Sequence, residues 1–284
     1  MKVLKKVGWF IVAMLPAILF VLIQAASVTV GVVIALNQIA NGVFADRDQM
    51  SLMELVGEAS KLSMEHIIYI VLLYQITAVL IFGLWYYLAY GRKVRPAEAE
   101  TINGKKIRQI ALLGLGLQLF LSAVLNGIYM MCPQLLDSYI EIMENSGIGE
   151  VTLASLLATV ILAPIGEELV CRGITFRLAH KVSSRFWVAN TIQALVFGVL
   201  HGNWIQGAYA FGVGMILGYI YGKYRNIWIC MLMHGIINFL SYALDACFSL
   251  FPEQLAMPVL LLSGIGGVAI IIVSFKKLGK VTLI

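Results

Sequence analysis

The sequence is short of charge. Only 12% of its 284 residues are Asp, Glu, Lys or Arg, whereas 61% are hydrophobic, and the mean hydropathy is +0.91. A soluble domain of this length carries roughly twice that charged fraction, because its surface faces water. The composition therefore predicts an all-α integral membrane protein and excludes an ordinary soluble domain.

Other absences exclude further classes of protein. The four cysteines have no CxxC spacing, so we expect neither a disulfide framework nor a cysteine metal cluster. The formal net charge is +5, but the basic residues lie between apolar runs, so nucleic acid is not an expected partner. The sequence also lacks the HExxH motif of the zincin metalloproteases.

Long apolar runs fill most of the chain. A helix needs about 20 such residues to cross a hydrocarbon core of roughly 30 Å. The first run follows Lys2, Lys5 and Lys6 and stays uncharged until Asp46, so we expect a retained span and not a signal peptide. The runs predict a single membrane domain over 1–284 with about eight transmembrane helices, near 8–38, 64–90, 109–131, 151–180, 186–202, 204–222, 226–245 and 256–275.

The charges between these runs predict an orientation. If the N-terminus is cytoplasmic, the even-numbered loops and the C-terminus are basic and the odd-numbered loops acidic, and Arg47 and Lys61 are the only loop Lys or Arg residues that break the pattern. This asymmetry favours a multi-pass cell-membrane protein with both termini in the cytoplasm. The basic set is Arg92, Lys93, Arg95, Lys105, Lys106, Arg108, Arg177, Lys181, Arg185, Lys223, Arg225, Lys276, Lys277 and Lys280, and the acidic set is Asp46, Asp48, Glu54, Glu58, Glu65, Asp137, Glu141, Glu144, Glu150, Asp245 and Glu253.

Three charges interrupt the fourth span, in the segment APIGEELVCRGITF. Glu167, Glu168 and Arg172 would each cost several kcal/mol inside a bilayer unless they were paired or faced a wet cavity. Glu168 and Arg172 are spaced i,i+4, so the arginine can neutralise one carboxylate and leave the other free. The segment therefore predicts a functional site. The alternative is that the span ends near Pro164 and the charges lie at the membrane surface.

Two histidines lie in neighbouring spans, each with a companion four residues away on the same helix face. The fifth span has Phe197 and His201, and the seventh has His234 and Asn238. If the fourth and fifth spans turn near Ser183–Ser184, Glu167 and His201 both lie roughly 25 Å from the turn and can face each other. By the same counting, His234 lies nearer the cytoplasmic end of its span. Either the turn at Lys223–Asn226 is recessed into the membrane, or the fourth and fifth helices project into the cytoplasm.

These residue types suit two routes to amide hydrolysis. A glutamate and a histidine can deprotonate a water, while a second histidine and an asparagine can donate hydrogen bonds to an oxyanion. Glu167, His201 and His234 also suit a zinc site with an open position for water. The residues alone do not choose between these routes.

The ordered set Glu167-Glu168-x-x-x-Arg172, Phe197-x-x-x-His201 and His234-x-x-x-Asn238 resembles the EExxxR, FxxxH and HxxxN motifs of the CPBP family. This family of intramembrane proteases includes CAAX prenyl endoproteases and bacteriocin-processing or self-immunity proteins. The resemblance covers about 150–245, which we expect to be the catalytic core. It implies that Glu167 and His201 activate water, that His234 and Asn238 stabilise the oxyanion, and that Arg172 and Glu168 support the site.

The resemblance also implies a membrane-associated peptide or protein substrate, met within the lipid bilayer. Peptide maturation, bacteriocin immunity or membrane-protein turnover fits better than cleavage of a prenylated protein. A cofactor is not required, although zinc stays open. Cys171, inside the first motif, matches no motif position and is expected to pack. The alternatives are an ion-coupled transporter, which the lack of a clear inverted repeat disfavours, and a non-catalytic membrane scaffold or immunity protein.

Overall fold

The computed structural model describes residues 2–43, 51–91, 102–147 and 151–278, which form ten helices. The helices are α1 Lys2–Gln38, α2 Leu52–Glu65, α3 Ile67–Tyr86, α4 Gly104–Met131, α5 Asp137–Asn145, α6 Leu153–Val182, α7 Phe186–Val199, α8 Trp204–Tyr224, α9 Ile227–Phe248 and α10 Glu253–Leu278. Among the charges used to predict the orientation, Asp46, Arg47, Asp48, Arg92, Lys93, Arg95, Glu150 and Lys280 lie outside the described residues.

Six of the described helices are long and apolar enough to cross a membrane: α1, α3, α4, α6, α9 and α10. This confirms the prediction of a polytopic helical membrane protein. The remaining two of the eight expected spans correspond to α7 and α8. Helix α7 has 14 residues and extends roughly 21 Å, which is shorter than a hydrocarbon core of about 30 Å.

Helix α1 is far longer than a membrane is thick. Its 37 residues extend roughly 56 Å, and Ala35 near its end, with Ile39 of the π turn that follows, packs on Ala59 of the short helix α2. Helix α2 begins with a capping box, in which the Ser51 hydroxyl accepts from the backbone N–H of Glu54 and the Glu54 carboxylate accepts from Ser51. These hydrogen bonds lower the pKa of the Glu54 carboxyl.

Helix α6 lies at the centre and contacts α1, α3, α7 and α9. It is not a uniform α-helix, because π-helical turns at Leu157–Leu162 and Leu169–Thr175 flank an α-helical segment, Ala163–Glu168. In the first π turn the N–H of Ala163 bonds the carbonyl of Ala158, five residues back. The next residue, Pro164, has no N–H, so the carbonyl of Thr159 loses the corresponding partner. Such turns are frequent at functional sites.

Helices α7 and α8 form a hairpin whose turn carries His201. Because α7 starts beside the end of α6 and is short, we expect this turn to lie at membrane depth, where backbone groups need partners within the protein. Gly202 supplies a left-handed residue at φ +68°, and the Asn203 side chain accepts from the N–H groups of Ile205 and Gln206. The Asn203 side chain thus pairs two backbone N–H groups at the start of α8.

Candidate functional site

The three sequence motifs come together between α6, α7 and α9, around the carboxylate of Glu168. Its Oε1 accepts from Nη1 of Arg172 at 2.8 Å and from Nδ1 of His234 at 3.0 Å. The side chains of Glu168 and Arg172 are fully buried, as the i,i+4 spacing predicts for a paired charge in a span. The first and third motifs are therefore joined by direct hydrogen bonds.

Arg172 makes two further contacts that hold it in place. Its Nη2 donates to the carbonyl of Gly214 on α8 at 3.0 Å, and its guanidinium lies 4.7 Å from the ring centre of Phe197. Phe197 also meets the rings of His201 and His234 edge to face, at 4.9 and 5.4 Å between centres. The phenylalanine of the second motif thus packs against members of all three motifs, a role that the motif spacing did not reveal.

Glu167 is left without a strong partner. Its Oε2 is buried and has no hydrogen-bond partner within the described protein, and the nearest basic atom is Nε2 of His234 at 3.8 Å. That distance is too long for a direct hydrogen bond and short enough for one bridging water. The structure does not form the direct pair between Glu167 and His201 that the hairpin count allows.

His201 instead donates from Nδ1 to the carbonyl of Phe197, its own i−4 residue, at 2.7 Å. A carbonyl oxygen can only accept, so Nδ1 carries the hydrogen, and Nε2 of the neutral ring keeps its lone pair. His234 likewise donates from Nδ1, to the carboxylate of Glu168. In both histidines, Nε2 is therefore the ring nitrogen that is not used in the Nδ1 hydrogen bond.

Asn238 hydrogen-bonds the backbone carbonyl of Thr159, to which Pro164 cannot donate. Its Nδ2 donates to the backbone oxygen of Thr159 at 2.8 Å, across the contact between α9 and the first π turn of α6. An amide nitrogen has two hydrogens, so one N–H of Asn238 is left for another acceptor. Asn238 therefore joins two helices and still offers a donor.

The proposed zinc ligands were tested against the same geometry. The Nδ1–H bonds of His201 and His234, to a carbonyl and a carboxylate, are of the kind that metal-ligating histidines make. Within the described ranges, however, no three His, Cys, Asp or Glu side chains are grouped so that they could hold a metal ion. Glu167, His201 and His234 therefore do not form the three-ligand set as they stand.

Sequence reasoning missed Asn190 and Gln193, two fully buried amides on α7. Gln193 donates to the carbonyl of Gly214, the same oxygen that Arg172 binds, and Asn190 donates to the carbonyl of Met215. A Cβ on Gly218 would lie 1.8 Å from Oδ1 of Asn190, so only glycine allows this approach of α7 and α8. The signal was present, since polar residues on an apolar helix have to face the protein interior.

A family model and a curated relative each match part of this chain. Residues 149–240 match the family model of the type II CAAX prenyl endopeptidases, Rce1-like. YdiL of Bacillus subtilis (strain 168), a protein provisionally named a membrane peptidase, is 24% identical over 83 residues. That match covers 29% of this chain and 34% of YdiL, so the chain spans about a third of this relative's length. No solved structure matches the chain. The resemblance to CPBP-family proteases is therefore confirmed over the motif-bearing segment.

Proposed function

We propose that this chain is an intramembrane endopeptidase that hydrolyses a peptide bond of a membrane-associated peptide or protein. The observation that carries the proposal is the unequal fate of the two adjacent carboxylates. Arg172 and His234 bind Oε1 of Glu168, whereas Oε2 of Glu167 has no hydrogen-bond partner within the described residues and lies 3.8 Å from Nε2 of His234. One carboxylate thus holds the site together, and the other is available as a base. We assign the catalytic core to residues 150–245.

In the proposed reaction, Glu167 takes a proton from a water as the water oxygen bonds to the substrate carbonyl carbon. The π electron pair of the carbonyl moves to its oxygen, which becomes an oxyanion. The second hydrogen of the water is directed to Nε2 of His201. When the tetrahedral intermediate collapses, the C–N bond breaks and Glu167 returns its proton to the leaving nitrogen.

We assign the oxyanion to His234 and Asn238. Asn238 has one uncommitted N–H, because the other donates to Thr159. His234 can donate from Nε2 only when both ring nitrogens carry a proton, since its Nδ1 already donates to Glu168. Arg172 supports the site by its ion pair with Glu168, and Glu168 in turn orients His234.

The experiment that tests this function is cleavage of membrane-anchored peptides by purified protein in proteoliposomes. Wild type should release product, and Glu167→Gln should fall to near background with its thermal unfolding unchanged. Glu141→Gln, the same change at an exposed position on α5, is the matched control and should retain full rate. A folded but inactive wild type, across a broad peptide panel, would favour a scaffold or immunity protein instead.

The zinc alternative has its own measurement. Metal content per chain and cleavage rate are determined before and after chelation. We expect full activity at substoichiometric metal, through the carboxylate and histidine route. Loss of activity on chelation, with recovery on adding one zinc ion per chain, would instead assign Glu167, His201 and His234 as metal ligands.

The orientation, with N- and C-termini cytoplasmic, can be read from natural thiols. Cys132 and Cys247 are exposed at the ends of α4 and α9, which the charge pattern assigns to the extracytoplasmic side. A membrane-impermeant maleimide added to intact cells should label both. A cysteine introduced at Lys93, in a chain without these two thiols, should be labelled only after permeabilisation, and labelling in intact cells would reverse the topology.

A further inference from the structure

The two amides on α7, Asn190 and Gln193, hold two successive carbonyl groups of α8. Both side chains are fully buried. Nδ2 of Asn190 donates to the carbonyl of Met215 at 3.0 Å, and Nε2 of Gln193 donates to the carbonyl of Gly214 at 3.0 Å. Polar side chains buried within a membrane are rare and mark functional sites by default, so a role beyond packing is expected for this pair.

The acceptors around Gln193 fix the direction of its amide. Its Nε2 has two hydrogens, which go to the Gly214 carbonyl and to Oδ1 of Asn190, 2.7 Å away. Reversing the amide would place its oxygen against two oxygen atoms that can only accept. The approach of the helices depends on the missing side chain at Gly214, where a Cβ would lie only 3.2 Å from Cα of Ala194. The Gln193 side chain is therefore held in one orientation on a closely packed backbone.

The Gly214 carbonyl is also one end of the hydrogen-bonded chain that holds the site. Arg172 reaches it from α6 with Nη2, at 3.0 Å, while Nη1 of the same guanidinium binds Oε1 of Glu168 at 2.8 Å. That Oε1 lies 3.0 Å from Nδ1 of His234. Because the guanidinium is a rigid, planar group, fixing one of its nitrogens restricts where the other can lie. The position of His234 therefore depends on where α8 presents the Gly214 carbonyl.

The position of His234 matters for the proposed reaction. Its Nε2 lies 3.8 Å from Oε2 of Glu167, a gap that suits one bridging water. A reacting group that is misplaced by about 1 Å can cost about 10²-fold in rate. Side chains that keep this gap constant therefore contribute to catalysis without contacting the substrate.

We infer that Gln193 is a positioning residue of the proposed hydrolysis, which acts on His234 by fixing the Gly214 carbonyl. Arg172 and Glu168 transmit the effect from that carbonyl to the histidine. The inference rests on the proposed peptidase function. In this role Gln193 contacts neither the water nor the substrate, and no bond to it forms or breaks.

The test is Gln193→Met, which keeps the length of the side chain and removes both N–H donors. In proteoliposomes with a membrane-anchored peptide, we expect kcat per folded molecule to fall about 10–10²-fold with KM unchanged. In detergent-solubilised protein with isotope-labelled histidines, the Nδ1–H resonance of His234, assigned by its absence from His234→Asn, should shift. Gln118→Met, at a half-buried position on α4, is the matched control and should change neither kcat nor this resonance.

A second variant separates positioning from packing. Gln193→Met leaves Oδ1 of Asn190 without its donor, so its unfolding temperature should fall. The double variant Asn190→Leu with Gln193→Met removes both amides and should recover part of that fall, because removing both partners costs less than leaving one buried and unpaired. Its kcat should stay low. A double variant that recovers both unfolding temperature and kcat would confine the amides to packing and overturn the inference.

The single variant can also contradict the inference. An unchanged kcat per folded molecule in Gln193→Met, whether or not the His234 resonance shifts, overturns it and leaves the peptidase function standing. A lower kcat with an unshifted resonance overturns it as well, because the effect would then not pass through His234. Wild type that cleaves no peptide overturns the peptidase function itself, a result distinct from a failure confined to the Gln193 variant.

Discussion

Helices α6 and α10 represent two ways of crossing a membrane. The apolar window of α6 has a mean hydropathy of 1.7 and is 44% buried in the protein, whereas that of α10 has 2.4 and is only 11% buried. The more hydrophobic helix is thus the more exposed one. Lipid is as apolar as Leu, so an apolar side chain gains little from leaving it, whereas a polar side chain must be satisfied within the protein.

This comparison explains why the site can be found inside the bundle. Glu168, Arg172, Asn190, Gln193 and His234 are all at most 4% exposed. In contrast, Leu261 and Leu262 of α10 are 59% and 70% exposed. In a span, polarity therefore predicts burial, which reverses the rule for soluble domains. Substitutions in the polar interior should have large effects, and the predictions run from the strongest to the weakest.

The largest effect is expected for Arg172→Ala. It leaves the buried Glu168 carboxylate without its cation, which typically costs about 3–5 kcal/mol of stability, and it also frees His234. We expect a lower unfolding temperature in detergent and loss of cleavage. Arg185→Ala, the same change at an exposed position, should alter neither. The double variant Glu168→Gln with Arg172→Met should unfold at a higher temperature than Arg172→Ala alone yet stay inactive. Equal instability of the two would mean that the ion pair is not what Arg172 contributes.

The next largest effect is expected for Asn238→Ala, because the Asn238 amide has both a structural and a proposed chemical role. Removing an oxyanion donor costs about 10²–10³ in rate, and leaving the Thr159 carbonyl unpaired costs about 1–3 kcal/mol. Cleavage rate and unfolding temperature should therefore both fall. Asn126→Ala is the control, since Asn126 also donates to a backbone carbonyl but lies on α4. A variant with reduced stability and normal rate per folded molecule would confine Asn238 to the structural part.

A smaller loss of stability is expected at Gly218 of α8, which packs against the buried amides of Asn190 and Gln193. In Gly218→Ala the added methyl would lie 1.8 Å from Asn190 and 2.5 Å from Gln193, so the hairpin has to shift. Overpacking of this kind costs about 1–3 kcal/mol. Gly212→Ala, on the same helix with nothing within 4 Å of its Cβ, is the matched control. Unfolding temperatures of the two variants should separate, and equal values would show that the hairpin tolerates the shift.

Much of this interior could be predicted from the sequence, because the hydropathy and the charge of each residue already indicate whether it faces lipid or the protein interior. The helical membrane fold follows from the apolar runs, and the pairing of Glu168 with Arg172 follows from i,i+4 spacing and the cost of an unpaired charge. The meeting of Glu168 with His234 could not be counted from the turns, because α6 is π-helical on both sides of its glutamates. A residue count at 1.5 Å per residue assumes a uniform α-helix.

Other features depend on tertiary contacts that no local pattern encodes. The hydrogen bond from His201 to Phe197 sets which ring nitrogen is free, and it replaces the pairing with Glu167 that depth alone suggested. The carbonyl of Thr159 becomes a partner for Asn238 only because Pro164 follows a π turn. Hydropathy alone predicts a full span over 186–202. Helix α7 is shorter, because the turn at Gly202 and Asn203 interrupts the apolar sequence.

The weakest effect is expected at Cys171, which lies in the first motif but not in its chemistry. The thiol is fully buried in the hydrophobic core of the bundle, and we expect its side chain to contribute packing alone. Cys171→Ser should keep the cleavage rate within about twofold, because a serine hydroxyl in a helix can bond the preceding turn and so avoids most of the cost of a buried polar group. The informative comparison is with Glu167→Gln in the same preparation. If the cysteine variant lost cleavage while the glutamate variant kept it, the nucleophile would be a thiolate and the water mechanism would be wrong. The opposite result assigns the chemistry to the Glu167 carboxylate, one helical turn away from the thiol.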